Sequence, residues 1–305
     1  WFLRLACHHL VGEAGQPNLP LAAEWLKKAE SSRDPEVLFR LGLLSEKGIA
    51  PTGSGDDAVN RFKAAAAMGH AGAQFKLARM CDSGAGLEKD RRMALAWCRE
   101  AALSGSPDAM FALGSAFLEG ADVPRDEGKA MALFFEGAEK HGHPKCLFAL
   151  GTACLFGEGL EADAGLAVKH YVRAWRAGEV EAGLQLGNMF RHGTGVPVDK
   201  GKALRWHERA WNAGCEPAGL ELAAMLSGGE GVEKNPEKAA KIYAELAEKN
   251  DLQAIPALGL MFAEGRGVEK NLAKALELFE KGAALGSRRA GSLLEKLARD
   301  AARAL

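Results

Sequence analysis

Gly265-Arg266-Gly267-Val268-Glu269-Lys270-Asn271, followed by Lys274-Ala275, decides how this chain is read. The same run stands 36 residues earlier as Gly229-Glu230-Gly231-Val232-Glu233-Lys234-Asn235, followed by Lys238-Ala239. Looser copies begin at Gly193 (with Asp199 and Lys202-Ala203), Gly157, Gly120, Gly84, Gly48 and Gly12. The steps between these first glycines are 36, 36, 36, 37, 36, 36 and 36 residues. A fixed period of this size belongs to a stacked-repeat architecture, which grows by adding units and not by enlarging one core.

Each period reads as two helices. The first carries Leu41-Gly42, Leu77-Ala78, Leu113-Gly114, Leu150-Gly151, Leu186-Gly187, Leu222-Ala223 and Leu258-Gly259 near its centre. The small residue lets a neighbouring helix come close while the leucine fills the seam. The first glycine of each Gly-x-Gly is expected to end this helix in a left-handed cap, and the following Val or Leu to plug the gap between helices. Six residues on, Asp90, Asp126, Asp163, Asp199, Asn235 and Asn271 are expected N-caps of the second helix. That helix keeps Ala58, Ala94, Ala130, Ala167, Ala203, Ala239 and Ala275 at one place. One turn further come Phe62, Phe134, Tyr171, Tyr243 and Phe279, with Cys98 and His207 replacing the ring in two copies. Eight repeats over 1–287, the first truncated, are expected, then a capping helix over 288–305 with Leu293, Leu294, Leu297 and Leu305 on its apolar stripe.

Apolar residues make up 48% and charged residues 26%, a globular composition, and the net charge of −1 supplies no basic field for nucleic acid. No apolar run approaches the roughly 18 residues that cross a bilayer, so no direct membrane insertion is expected. The six cysteines form no Cys-x-x-Cys and ignore the repeat period, which points to a reducing compartment inside a cell, cytosol or organelle matrix. The chain opens on Trp1, so a preceding segment, one that could have held a signal or transit peptide, is expected to be missing.

The sequence holds no recognisable motif for chemistry. No Gly-x-Gly loop completes a phosphate-binding pattern, and no histidine or cysteine spacing fits a metal, so no cofactor is expected. No nucleophile elbow occurs either, and no catalytic residue can be named.

Ala-x-x-x-Leu-Gly, Gly-x-Gly-Val-x-x-Asp, Lys-Ala-x-x-Trp and Ala-Ala-x-x-Gly together resemble the Sel1-like repeat, a relative of the tetratricopeptide repeat. Lys202-Ala203-Leu204-Arg205-Trp206 and Ala283-Ala284-Leu285-Gly286 are close matches. The resemblance covers essentially the whole chain. It implies an all-α, right-handed α-α superhelical solenoid whose first helices line a concave face, and a role as adaptor or scaffold in a multi-protein complex. A secreted, cysteine-rich branch of the family pairs a cysteine near the end of one second helix with one opening the next repeat. Here Cys146 stands near the second position but Ala138 near the first.

From that relationship, positions two and five after the Leu of Leu-Gly should face the groove. They include Arg79, Asp82, Ser115, Leu118, Thr152, Leu155, Asn188 and Arg191, with Phe156 and His192 beside them. These are the candidate protein-binding residues, the varied polar set foremost. Phe39, Phe75, Phe111 and Phe148 form an aromatic ladder better explained by packing. Trp175 and Trp211 occupy a slot where the pattern expects Ala, and either fill space against the following repeat or serve a partner. The expected function is a non-enzymatic adaptor that reads a protein or peptide. The alternatives are a structural subunit of a large assembly and a hydrolase of cell-wall or β-lactam type.

Overall fold

In the computed structural model, which describes residues 2–11, 17–30, 33–49, 55–120, 122–231 and 233–303, every regular element is a helix. Gly12, Val232 and Leu305 of the sequence pattern lie outside the described residues. The chain divides into two units, residues 1–150 with 158–160, and residues 151–157 with 161–305. The first holds α1 (Phe2–Val11), α2 (Leu19–Ala29), α3 (Pro35–Glu46), α4 (Gly55–Ala67), α5 (Ala71–Ser83), α6 (Arg91–Leu103), α7 (Pro107–Glu119), α8 (Glu127–His141) and the opening of α9 (Pro144–Phe156). The second holds the end of α9, then α10 (Ala164–Arg176), α11 (Glu181–His192), α12 (Lys200–Asn212), α13 (Glu216–Gly228), α14 (Pro236–Glu248), α15 (Ala254–Glu264), α16 (Leu272–Ala284) and α17 (Arg288–Arg303).

The helix ends follow from the sequence. First helices stop on glycines in the left-handed region, for example Gly84 (φ 79°), whose N–H donates to the Met80 carbonyl, and Gly265 (φ 71°). Second helices start on the expected side chains: Asp90 accepts from the Met93 N–H at 3.0 Å and Asn271 from the Lys274 N–H at 3.0 Å. Each such cap contributes about 1 kcal/mol. The 37-residue step has a local cause, since α8 runs for 15 residues where α6 and α10 run for 13.

Within each unit the core is a row of small clusters, each shared by successive helices, as a solenoid requires. Ala23 and Leu26 of α2 pack with Val37 and Leu41 of α3, and Phe62 of α4 with Leu77 of α5. In the second unit Tyr243 and Leu246 of α14 pack with Ile255 and Leu258 of α15. On α17 the stripe of Leu293, Leu294 and Leu297 is half-buried while Lys296 and Arg299 are exposed.

The glycine of Leu-Gly has a measurable reason. A Cβ on Gly114 would stand 2.5 Å from the Phe134 ring, and one on Gly151 2.7 Å from the Tyr171 ring. Gly42 meets Phe62 in the same way, and Gly187 meets His207. The ring of the second helix therefore lies flat on the backbone of the first. Gly114→Ala is expected to cost about 1–3 kcal/mol by overpacking, read as a lowered urea midpoint at unchanged slope. An unchanged midpoint would show that the ring moves freely.

Candidate protein-binding surface

Between α5, α6 and α7 the first unit opens a cavity of about 360 Å³. α5 contributes Phe75, Ala78, Arg79 and Asp82; α6 contributes Arg91, Ala94, Leu95 and Cys98; α7 contributes Ala112, Ser115, Ala116 and Glu119. α5 and α7 run parallel in register, with α6 returning behind them, so one end is apolar (Phe75, Cys98, Ala112) and the other charged (Asp82, Arg91, Glu119, Asp122). Arg91 is held there by Asp122 at 3.1 Å and touches Asp82 at 3.9 Å. Arg79 is exposed, and no ion pair engages it among the described residues. Of the sequence-selected residues, Arg79, Asp82 and Ser115 are thus brought to one cavity.

Leu118 of α7 is half-buried and does not line it, and the remaining candidates belong to the second unit. Arg191 is 11% exposed and already engaged. Its guanidinium donates to both carboxylate oxygens of Glu230 at 3.0 and 3.1 Å and also pairs with Glu221. A bidentate pair at this depth fixes the side chain, so Arg191 ties α11 to α13 and to the loop after it. The Thr152 hydroxyl is 3.0 Å from the Tyr171 hydroxyl. The Oδ1 of Asn188 is buried with no hydrogen-bond partner among the described residues. Phe156 and His192 are exposed, Phe156 to 66%.

Trp175 and Trp211 are half-buried. A Cβ on Gly183 would lie 2.8 Å from the Trp175 ring, and Gly219 is covered by Trp211 in the same way. Each indole therefore occupies room that a glycine vacates at the start of the next first helix. In other repeats the sizes are reversed: Ala66 stands before Gln74, Ala102 before Met110 and Ala247 before Ile255, all buried. The ladder also has a packing role. Phe39 lies 5.9 Å from Phe62 and Phe111 lies 6.0 Å from Phe134, centroid to centroid.

Sequence reasoning missed the caps of the first helices, where consecutive repeats are tied. His70 accepts from the Ala73 N–H through Nδ1 at 3.1 Å, while its Nε2 meets Glu36 of the preceding first helix at 2.8 Å. Burial by itself would raise the Glu36 carboxyl, but hydrogen bonds from His70 and Arg40 outweigh it and hold the group below its ordinary range. His143 repeats the contact with Asp108 at 3.3 Å, and Ser287 bonds the Leu252 carbonyl at 3.1 Å. The common spacing of these caps was visible; their varied chemistry hid it.

Among the described residues the thiols are buried in the repeats. Cys81, Cys98, Cys146, Cys154 and Cys215 are buried and unpaired. Burial pushes Cys98 up to about 11 and Cys146 up to about 12. Instead of a disulfide partner, the Cys146 sulfur faces Gly137, where a Cβ would stand 2.6 Å away. Among the described residues no group of three His, Cys, Asp or Glu could hold a metal ion, and no helix is long and apolar enough to cross a membrane.

No curated protein matches the chain in a sequence comparison. Among solved structures, the chain is similar to a protective antigen of uropathogenic Escherichia coli displaying an SLR fold, at 29% identity and TM-score 0.81 over 90% of this chain. The chain spans 59% of the length of that antigen. It is also similar to a Sel1 repeat protein from Oxalobacter formigenes, at 25% identity and TM-score 0.71, over 97% of this chain and 85% of the other. The sequence profile of the Sel1 repeat matches residues 3–33, 71–106, 107–141, 144–179, 180–215, 219–251 and 254–287. Between the first two matches, α3 and α4 form a packed helix pair with the same Gly42–Phe62 contact. Sel1 and tetratricopeptide-like repeats are generally non-catalytic protein-interaction scaffolds. Seven matched repeats and an all-helical solenoid fold place this chain in the Sel1 repeat family.

Proposed function

We propose that this chain is a non-enzymatic scaffold that binds a partner protein or peptide through the surface that α5 and α7 present around Arg79, Asp82 and Ser115. One observation carries the reading: an apolar cavity large enough for a ligand group opens beside a charged rim where Arg79 remains unengaged. Its mechanism is display. Stacked helices hold these side chains at fixed intervals, so a partner is read at several points with little ordering cost in the scaffold.

Affinity capture from the source extract tests this, comparing the unaltered chain with Arg79→Glu. Arg79 is exposed, so its replacement should leave stability within about 0.5 kcal/mol. Arg191 is unsuitable because Glu221 and Glu230 hold it. The expected result is selective loss of one co-purifying protein, by about tenfold or more, from the variant. An identical set of captured proteins with both chains would remove this surface from consideration.

A further inference from the structure

The cavity between α5, α6 and α7 opens where a repeat lacks its ring. In the preceding pair Phe62 fills this slot, lying on Gly42, 5.9 Å from Phe39 and with the Lys76 ammonium 5.8 Å away. One period later the corresponding residues are Cys98, Ala78, Phe75 and Ala112, and all four line the cavity. The following pair is filled again, by Phe134 on Gly114. The Cys98 thiol reaches the Ala109 carbonyl at 3.5 Å and is too short to take the place of a ring. Of the ring's surroundings Phe75 is kept, Ala78 adds a methyl where Gly42 has none and Ala112 replaces Lys76, and the room left by the absent ring stays open as the cavity.

We infer that the missing ring is supplied in trans: the slot receives an aromatic side chain of a partner polypeptide, flanked by an acidic residue that pairs with Arg79. This rests on the proposed binding role and names the chemistry of what is bound. Phe75, Ala78, Leu95, Ala112 and Ala116 give the ring apolar walls. Arg79 adjoins Ala78 in sequence and is the cation at the level of the slot. Arg91, at the charged end, is already held by Asp122. An acidic neighbour of the ring therefore meets an unengaged guanidinium, while Asp82 and Asp122 are already taken up by Arg91.

The test uses a filled variant, Ala78→Gly with Cys98→Phe, which restores the pairing of Gly42 with Phe62. The probes are N-acetyl-Asp-Phe-amide and N-acetyl-Lys-Phe-amide, followed by saturation-transfer NMR. The wild-type chain is expected to bind the Asp-Phe probe at about millimolar strength. Arg79→Glu should weaken it roughly two- to fivefold and leave the Lys-Phe probe unweakened. The filled variant should lose about tenfold or more in binding while its Tm rises by roughly 2–4 °C. Loss with a raised Tm cannot come from unfolding. No transfer to the Phe ring from wild type, or equal transfer from the filled variant, overturns the inference. Running the filled variant in the affinity capture separates the two readings. Partners lost with Arg79→Glu but kept by the filled variant sink the slot alone. Partners kept by both sink the groove as well.

Discussion

His207→Phe is expected to stabilise the chain by about 1–3 kcal/mol at pH 7, the cost of leaving a buried polar group unsatisfied. His207 is fully buried in the slot that Phe62, Phe134 and Phe279 occupy elsewhere, lying on Gly187. Neither ring nitrogen has a hydrogen-bond partner among the described residues. Burial pushes the imidazole down to about 4, and the nearby charges of Arg191 and His192 push the same way. The native state therefore refuses a proton that the unfolded chain accepts at its ordinary value of 6.5. Stability falls as pH drops through 6.5, and the loss levels off near 4, where both states are protonated. Over that window wild type should lose about 3 kcal/mol that the Phe variant keeps. Urea unfolding of both chains at pH 7, 5.5 and 4 measures the difference, because the carboxylates common to both cancel. Parallel pH dependences would show that the ring escapes to water.

The second large effect concerns Trp175 and Gly183. Trp175→Ala is expected to cost about 3 kcal/mol by emptying the space over Gly183. Gly183→Met should cost about 1–3 kcal/mol or more, since its Cβ would stand 2.8 Å from the indole and 3.0 Å from the Ala210 methyl. Combined, they recreate the pairing of Ala102 with Met110. The double variant should recover at least half of the summed loss, a coupling of about 1–3 kcal/mol. Crowding by Ala210 limits a fuller recovery. Strict additivity would mean that the two residues do not share one space.

Much of the fold was legible because its signals are local. A left-handed backbone at Gly84 or Gly265 and an acceptor at Asp90 or Asn271 depend on one residue and its own helix end. Leu-Gly facing Phe, 20 residues away, was read as two separate regularities. Only their contact shows that the glycine exists for the ring. The surface was less legible, because exposure of a position says nothing of what its side chain meets. Arg79 stands two positions after the leucine of its repeat and Arg191 five, and neither place foretells what the guanidinium meets. The first remains unengaged because no acid reaches it, whereas Glu221 and Glu230, 30 and 39 residues downstream, take the second. The size exchange between Trp and Gly could have been read from Trp175–Gly183 and Trp211–Gly219, each eight residues apart.

That exchange also sets where such a chain can be cut and rejoined. The matched partners straddle the turn that follows a second helix, so a crossover placed there would set an indole against Met or Ile, or an Ala against Gly. A crossover in the Gly-x-Gly loop carries each Trp together with its Gly. The block that can be duplicated without repair therefore runs from one Gly-x-Gly loop to the next. Two such blocks stand in tandem here, with Trp175 and Trp211, and Gly183 and Gly219, each 36 residues apart.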